Sequence, residues 1–291
     1  MHNPRSDKPV LVGVESLDNV QQLVRTAGDL ADLGAGTVRV VTVAVKRSDS
    51  PFRVFSDETI VREFADSSHE LLDRATTPEG VTIERDVLVA RSAARGLLAA
   101  VEETDPAALV VGWRPQEQRT DAVFGTTVDA LVERAPCDLY VERVGHEANG
   151  VDSILLPVAG GPHVETAARA AIAIAARNDA RVLVFSVETS GDAAALAAEG
   201  REALAGVDGP EVPVETTVRE SDDVTGAIVD EAAAHDVVVM GATRKGSLRR
   251  KLVGSVPRRV VDQTDRTVIL ARSGDVVGGP LHELGRLLRR W

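Results

Sequence analysis

The chain has 291 residues, 44% of them hydrophobic, enough for two domains of ordinary size, each with a core. Its formal net charge is −12, with 45 Asp and Glu against 33 Lys and Arg, a balance that argues against nucleic-acid binding, which needs a cationic face. A single cysteine, Cys137, excludes a disulfide framework or a multi-cysteine metal site. No apolar run reaches membrane-span length and residues 1–7 carry no signal-peptide core, so the expected location is cytoplasmic. Lysine occurs only four times. An acidic, lysine-poor surface fits a halophilic protein kept soluble in high salt, or simply a mildly acidic one from a GC-rich genome.

Residues 10–14 are a short apolar strand that leads into Glu15 and Ser16. Val20, Leu23, Val24, Ala27, Leu30, Ala31 and Leu33 recur at helical spacing, and Gly34 and Gly36 stop that helix. The β-branched stretch 37–45 predicts a second strand. A polar excursion over 46–56 precedes one helix at 58–74, a strand at 81–89, a helix at 92–103 and the apolar run Leu109, Val110, Val111. After a loop and a helix, residues 138–141 form a last strand.

The scheme then starts again beyond a polar linker at 145–150. Strands are expected at 154–158, 182–185, 212–218, 237–240 and 267–270, with helices between them, the first at 164–176. Strands alternating with helices predict the α/β class with parallel sheets, right-handed crossovers and helices on both faces. The chain is therefore read as an internal repeat: two tandem doubly wound, Rossmann-like domains at 1–145 and 151–272, then a tail at 273–291.

Each repeat carries one glycine-bounded loop between its fourth strand and its last helix. In the second, Gly241 follows the strand, Gly254 and Ser255 open the helix with Val256, and Arg244, Lys245, Arg249, Arg250 and Lys251 lie between, with no acid among them. A glycine at the strand exit leaves the backbone open to a ligand, and a helix N-terminus favours an anion. Five cations in an acidic chain point to phosphate. In the first, Gly112 and the pair Gly125, Thr126 bound a loop in which Arg114 and Arg119 are offset by Glu117 and Asp121.

This layout resembles the universal stress protein family in its tandem two-domain form. Nucleotide-binding members of that family carry Gly, two residues, Gly, nine residues, then Gly with Ser or Thr. Both repeats keep the outer glycines and the Gly-Ser or Gly-Thr pair; both lack the middle glycine, where Arg244 and Pro115 stand, though the second has Gly246 nearby. The resemblance implies an acid at the first-strand exit that contacts the nucleotide. The matching residues are Glu15 in the first repeat and Ala159, after Val158, in the second. It also implies ATP or a related nucleotide as ligand, and packing of the two repeats through their last strands, as in family dimers. The cationic loop makes the second repeat the expected site, for a nucleotide or another phosphorylated small molecule, and a homodimer of the whole chain is a further expectation.

No catalytic residue is expected, because no nucleophile elbow, His-Glu-x-x-His pattern or metal cluster occurs; the resemblance leaves room for slow nucleotide hydrolysis. Of six scattered histidines, His163 stands nearest the expected pocket. The tail places Leu281, Leu284, Leu288 and Trp291 on one helical face and Arg286, Arg289 and Arg290 largely on the other. Such a helix packs on its own domain, on an anionic membrane surface or on a partner. The rival to nucleotide binding is thus a ligand-free regulatory module that acts on a partner such as a membrane transporter.

Overall fold

The computed structural model describes residues 8–34, 36–46, 54–114, 125–145, 150–189, 191–242 and 255–276. In chain order the elements of the first repeat are β1 (Val10–Gly13), α1 (Val20–Asp32), β2 (Thr37–Val45), α2 (Asp57–Phe64), α3 (Asp66–Asp73), β3 (Thr82–Ala90), α4 (Ala93–Thr104), β4 (Ala108–Trp113), α5 (Thr126–Arg134) and β5 (Asp138–Arg143). The second repeat runs β6 (Ser153–Pro157), α6 (Val164–Asn178), β7 (Arg181–Glu188), α7 (Ala193–Ala205), β8 (Val214–Glu220), α8 (Val224–Ala232), β9 (Val237–Gly241), α9 (Ser255–Gln263) and β10 (Thr267–Arg272), with a 3-10 turn at Gly274–Val276.

One expectation fails in detail. The helix read at 58–74 is two helices, α2 and α3, broken at Ala65, which is buried. Asp66, Ser67 and Ser68 follow the break, residue types that compete for backbone groups inside a helix and favour its first turn. Two other short polar side chains cap helices as their chemistry predicts. Ser92 Oγ accepts from Arg95 N–H at 3.3 Å at the start of α4, and Asp223 Oδ1 accepts from Gly226 N–H at 3.0 Å at the start of α8.

All ten strands join one sheet in the order β3-β2-β1-β4-β5-β10-β9-β6-β7-β8. Within each repeat the pairs are parallel, as the βαβ alternation requires. The last strands pair antiparallel across the centre, Leu270 opposite Val141 and Ala271 opposite Tyr140, so each repeat closes the edge the other would leave open. Neither face of this sheet divides its core at the seam. On one face, Val12, Val24 and Tyr140 of the first repeat share a cluster with Ile154, Ala171 and Ile269 of the second. On the other, Leu109 and Leu131 share one with Phe185 and Val238. Rather than each repeat closing a core of its own, two apolar layers run the length of the sheet.

The seam is fastened by a reciprocal pair of arginines. Arg143 ends β5 and donates to the carbonyl of Thr264, just past α9; Arg272 ends β10 and donates to the carbonyl of Ala135, just past α5, at 2.7 Å, and to that of Cys137 at 3.3 Å. Each guanidinium thus meets the carbonyl end of the opposite repeat's last helix, where the helix dipole favours a cation. One face of the seam adds a polar cluster built on first-repeat residues. Glu142 is buried and accepts from Gln22 Nε2 and Thr26 Oγ1, each at 2.7 Å.

Candidate functional site

The carboxyl ends of β6, β7 and β9 converge on one side of the second repeat, where ligands bind in open α/β sheets. A cavity of about 220 Å³ opens there. Leu156, Val158 and Ala159 reach it from the β6 end, Phe185 and Val187 from β7, Met240 and Gly241 from β9, and Val256 and Pro257 from the first turn of α9. The wall is predominantly aliphatic. Phe185 is fully buried and carries the Arg219 guanidinium 5.3 Å from its ring centre, a cation–π contact that fixes the ring. The rim toward α7 is acidic, formed by Glu188 and Asp192. Glu188 accepts the backbone N–H groups of Gly191 and Ala193, so the N-terminus of α7 is neutralised by the chain itself.

Four of the expected second-repeat residues, Val158, Ala159, Gly241 and Val256, line this one cavity, and Ser255, exposed, opens α9 beside it. Arg244, Lys245, Gly246 and Gly254 lie outside the described residues. The role read for Gly241 needs one correction. A Cβ there would lie 3.1 Å from Cβ of His163, so the direction a side chain would take is filled by the backbone and Cβ of His163 rather than left for a ligand. The glycine lets α6 approach the strand while its backbone still borders the cavity.

The equivalent end of the first repeat is arranged differently. Glu15 is exposed just past β1, and Gly112 lies at the end of β4 with Val144 Cγ1 only 2.8 Å from where its Cβ would be. Gly125 precedes α5 with a φ of 95°, a backbone conformation that favours glycine, and Thr126 opens the helix, exposed. Arg114, directly after β4, donates to Asn19 Oδ1 at 3.0 Å and lies 3.5 Å from Asp18 Oδ2. The cation at this strand exit is held by the chain's own acid and amide. Sequence reasoning missed the β7 wall of the second site, Phe185, Val187 and Glu188, because the glycine frames drew the attention to β9 and α9. The signal was there: strand 182–185 ends in an aromatic, and the polar Ser186 and Glu188 follow one and three positions later.

The sequence matches the model of the Universal stress protein family twice, over residues 8–143 and 150–272. The chain belongs to the universal stress protein family. It is a tandem member, and its α/β fold is that of the family's solved structures. A universal stress protein from Archaeoglobus fulgidus DSM 4304 superposes with a TM-score of 0.64 at 17% identity, covering 91% of this chain and 98% of that one. A putative universal stress protein from Pseudomonas aeruginosa UCBPP-PA14 gives 0.59 at 16% identity, covering 97% and 99%. The cytoplasmic domain of a prokaryotic cation chloride cotransporter gives 0.56 at 10% identity, covering 92% and 96%. No curated protein matches the sequence.

Three further groups bear on what this family member can do chemically. Burial pushes the Cys137 thiol up to about 12, so it stays protonated and serves as packing. His235 is buried and does not line the cavity; desolvation lowers its pKa. His163, in contrast, lines the cavity, and its Nδ1 accepts the backbone N–H of Ser273 at 3.1 Å. Among the described residues no group of His, Cys, Asp and Glu could hold a metal ion, and no helix is long and apolar enough to cross a membrane.

Proposed function

We propose that the second repeat binds a nucleotide of the ATP, ADP or AMP kind, with the base in the apolar cavity and the phosphates toward the start of α9. The observation that carries this reading is the polarity of the cavity. Its interior suits a flat, uncharged ring, whereas a phosphate chain needs cations or N–H donors. The α7 rim repels phosphate through Glu188 and Asp192, and the α8 N-terminus is capped by Asp223. The α9 side, where Gly254 and Ser255 follow five cations in the sequence, is the side with the matching charge.

The activity is binding rather than efficient turnover. Of the titratable groups on the wall, His163 Nδ1 and the Glu188 carboxylate are both committed to backbone N–H groups. The cellular role would be a stress-response or regulatory one in the cytoplasm, read out through occupancy. A second reading, a ligand-free module acting on a membrane transporter or another protein, draws on the basic amphipathic sequence at 281–291, which lies outside the described residues.

Mass spectrometry of small molecules released from the purified chain, followed by titration calorimetry with ATP, ADP and AMP, tests the proposal. Gly254→Val should weaken the bound nucleotide by about 100-fold or more, and Gly125→Val by less than about twofold. Equal losses would refute the asymmetric assignment. No binding by the unaltered chain, together with a transporter fragment captured through residues 281–291, would favour the second reading.

A further inference from the structure

Resting on the reading of the second-repeat cavity as a ligand site, we propose that His163 is a positioning residue that couples occupancy of that cavity to the seam between the repeats. His163 occupies the N-cap of α6, a place where Ser, Thr, Asp or Asn would add about 1 kcal/mol by capping the helix. It makes no such cap. The side chain, buried at 4% exposure, turns instead to border the cavity and to accept the Ser273 N–H through Nδ1. A nitrogen that accepts an N–H carries no proton, so the ring is neutral with its proton on Nε2.

Ser273 is no ordinary partner. It directly follows β10, and both its neighbours grip the first repeat. Arg272 holds the carbonyls of Ala135 and Cys137, and Gly274 N–H donates to Asp138 Oδ1 at 2.9 Å. Gly274 packs so closely that an added Cβ would sit 2.7 Å from the carbonyl carbon of Cys137. The imidazole is thus packed between a cavity wall and a three-residue clamp on the other repeat. Its Cβ also lies against Gly241, close enough that a side chain there would meet it at 3.1 Å. A ligand that fills the cavity presses on a ring with little room to yield except along the bond to Ser273. The first repeat lacks this link, because Asn19, the N-cap of α1, gives its side chain to Arg114.

Hydrogen–deuterium exchange on the full chain, with and without ATP, reads the coupling. Amides at 138–143 and 272–274 should slow by about five-fold or more on binding. His163→Asn keeps an oxygen where Nδ1 stood and should retain that response. His163→Ala should lose it while calorimetry still detects ATP. Seam protection that persists in His163→Ala overturns the proposal. If ATP binds not even the unaltered chain, the nucleotide reading fails alone, and Leu196→Trp, which carries its own occupant into the cavity from α7, becomes the probe. It should alter exchange at 272–274 in the presence of His163 and not in its absence; the same exchange in both backgrounds overturns the coupling.

Discussion

The two repeats share one scaffold and differ at the strand ends where a ligand would sit. In the first, the acid Glu15 survives, but Arg114 is engaged by Asp18 and Asn19, and the position matching Phe185 in strand pairing is Val41. In the second, Ala159 replaces the acid, the strand ends enclose an apolar cavity, and the cationic loop follows. The copies thus divide at these strand ends, an ion-paired exit in one and an open apolar cavity in the other, while both share the pairing at the seam. The sheet tolerates this division because its stability comes from apolar layers that run through both copies, not from either strand end.

The largest expected effect tests whether the copies are one folding unit. Arg272→Leu orphans the carbonyls of Ala135 and Cys137 in a buried seam and should cost about 2–6 kcal/mol, at about 1–3 per unpaired group. Arg143→Leu orphans the carbonyl of Thr264 and should cost about half as much. Urea denaturation of either variant should stay a single transition. Separate transitions for the two repeats would show that the seam is dispensable.

The seam also makes the copies unequal in pH response. Burial raises Asp29 of α1 to about 7, against the opposing pull of Arg177, which lies 3.4 Å away, and of Arg25; Glu142 and Asp32 add to the rise. The fold therefore prefers the protonated carboxyl. The stability tied to this group is complete below its ordinary value of 3.8 and is lost as pH climbs through about 7. Asp29→Asn, neutral throughout, should match the parent at pH 4 and exceed it at pH 8 by about 4 kcal/mol. A thermal melt series across that range checks it, and a variant that loses more stability at pH 8 than at pH 4 would mean the ion pair with Arg177 outweighs desolvation.

Much of this was legible in the chain. The repeat, the strand alternation and the parallel pairing follow from periodicities that local chemistry imposes, whereas the meeting of the last strands at the centre came from the family resemblance. The break at Ala65 was hidden because Ile60, Leu71 and Leu72 keep helical spacing across it. The site was half legible. Gly241, Val158 and Val256 announce themselves by position next to glycine frames, but Phe185, Leu196 and Ile228 come together only through crossovers, and no local pattern marks them. Nor does the sequence say what a glycine excludes. Gly112 and Gly241 look alike in the chain, yet one is held against Val144 and the other against His163.

That pair gives a sharper comparison of the copies. Gly112→Ala drives a methyl to 2.8 Å from Val144 Cγ1 and 3.2 Å from Leu23 Cδ1, and should destabilise the chain by about 1–2 kcal/mol without changing nucleotide affinity. Gly241→Ala meets His163 at 3.1 Å, a milder clash, and should cost less in stability but weaken ATP several-fold, because it moves the cavity wall. Calorimetry and urea titration on both variants separate the two effects. Parallel losses would place Gly112 in a working site.

The smallest expected effect concerns which cations of the second loop serve the ligand. Residues 242–253 carry five positive charges, and the matching stretch 113–124 none net. A phosphate's interaction with a surface cation is screened over about 10 Å at ordinary salt, so only cations adjacent to it contribute strongly. Arg244 and Lys245 follow the end of β9 by three and four residues, and Arg249, Arg250 and Lys251 precede α9 by six, five and four. Replacing Arg244 and Lys245 together by Ala should therefore weaken ATP by about tenfold, equivalent to about 1.4 kcal/mol, and the loss should shrink as salt is raised. The triple replacement of Arg249, Arg250 and Lys251 should weaken it by less. Should the triple variant lose more, or neither lose any, the cations belong to a docking surface for an acidic partner, and the asymmetry between the repeats would then be one of protein contacts rather than of ligand.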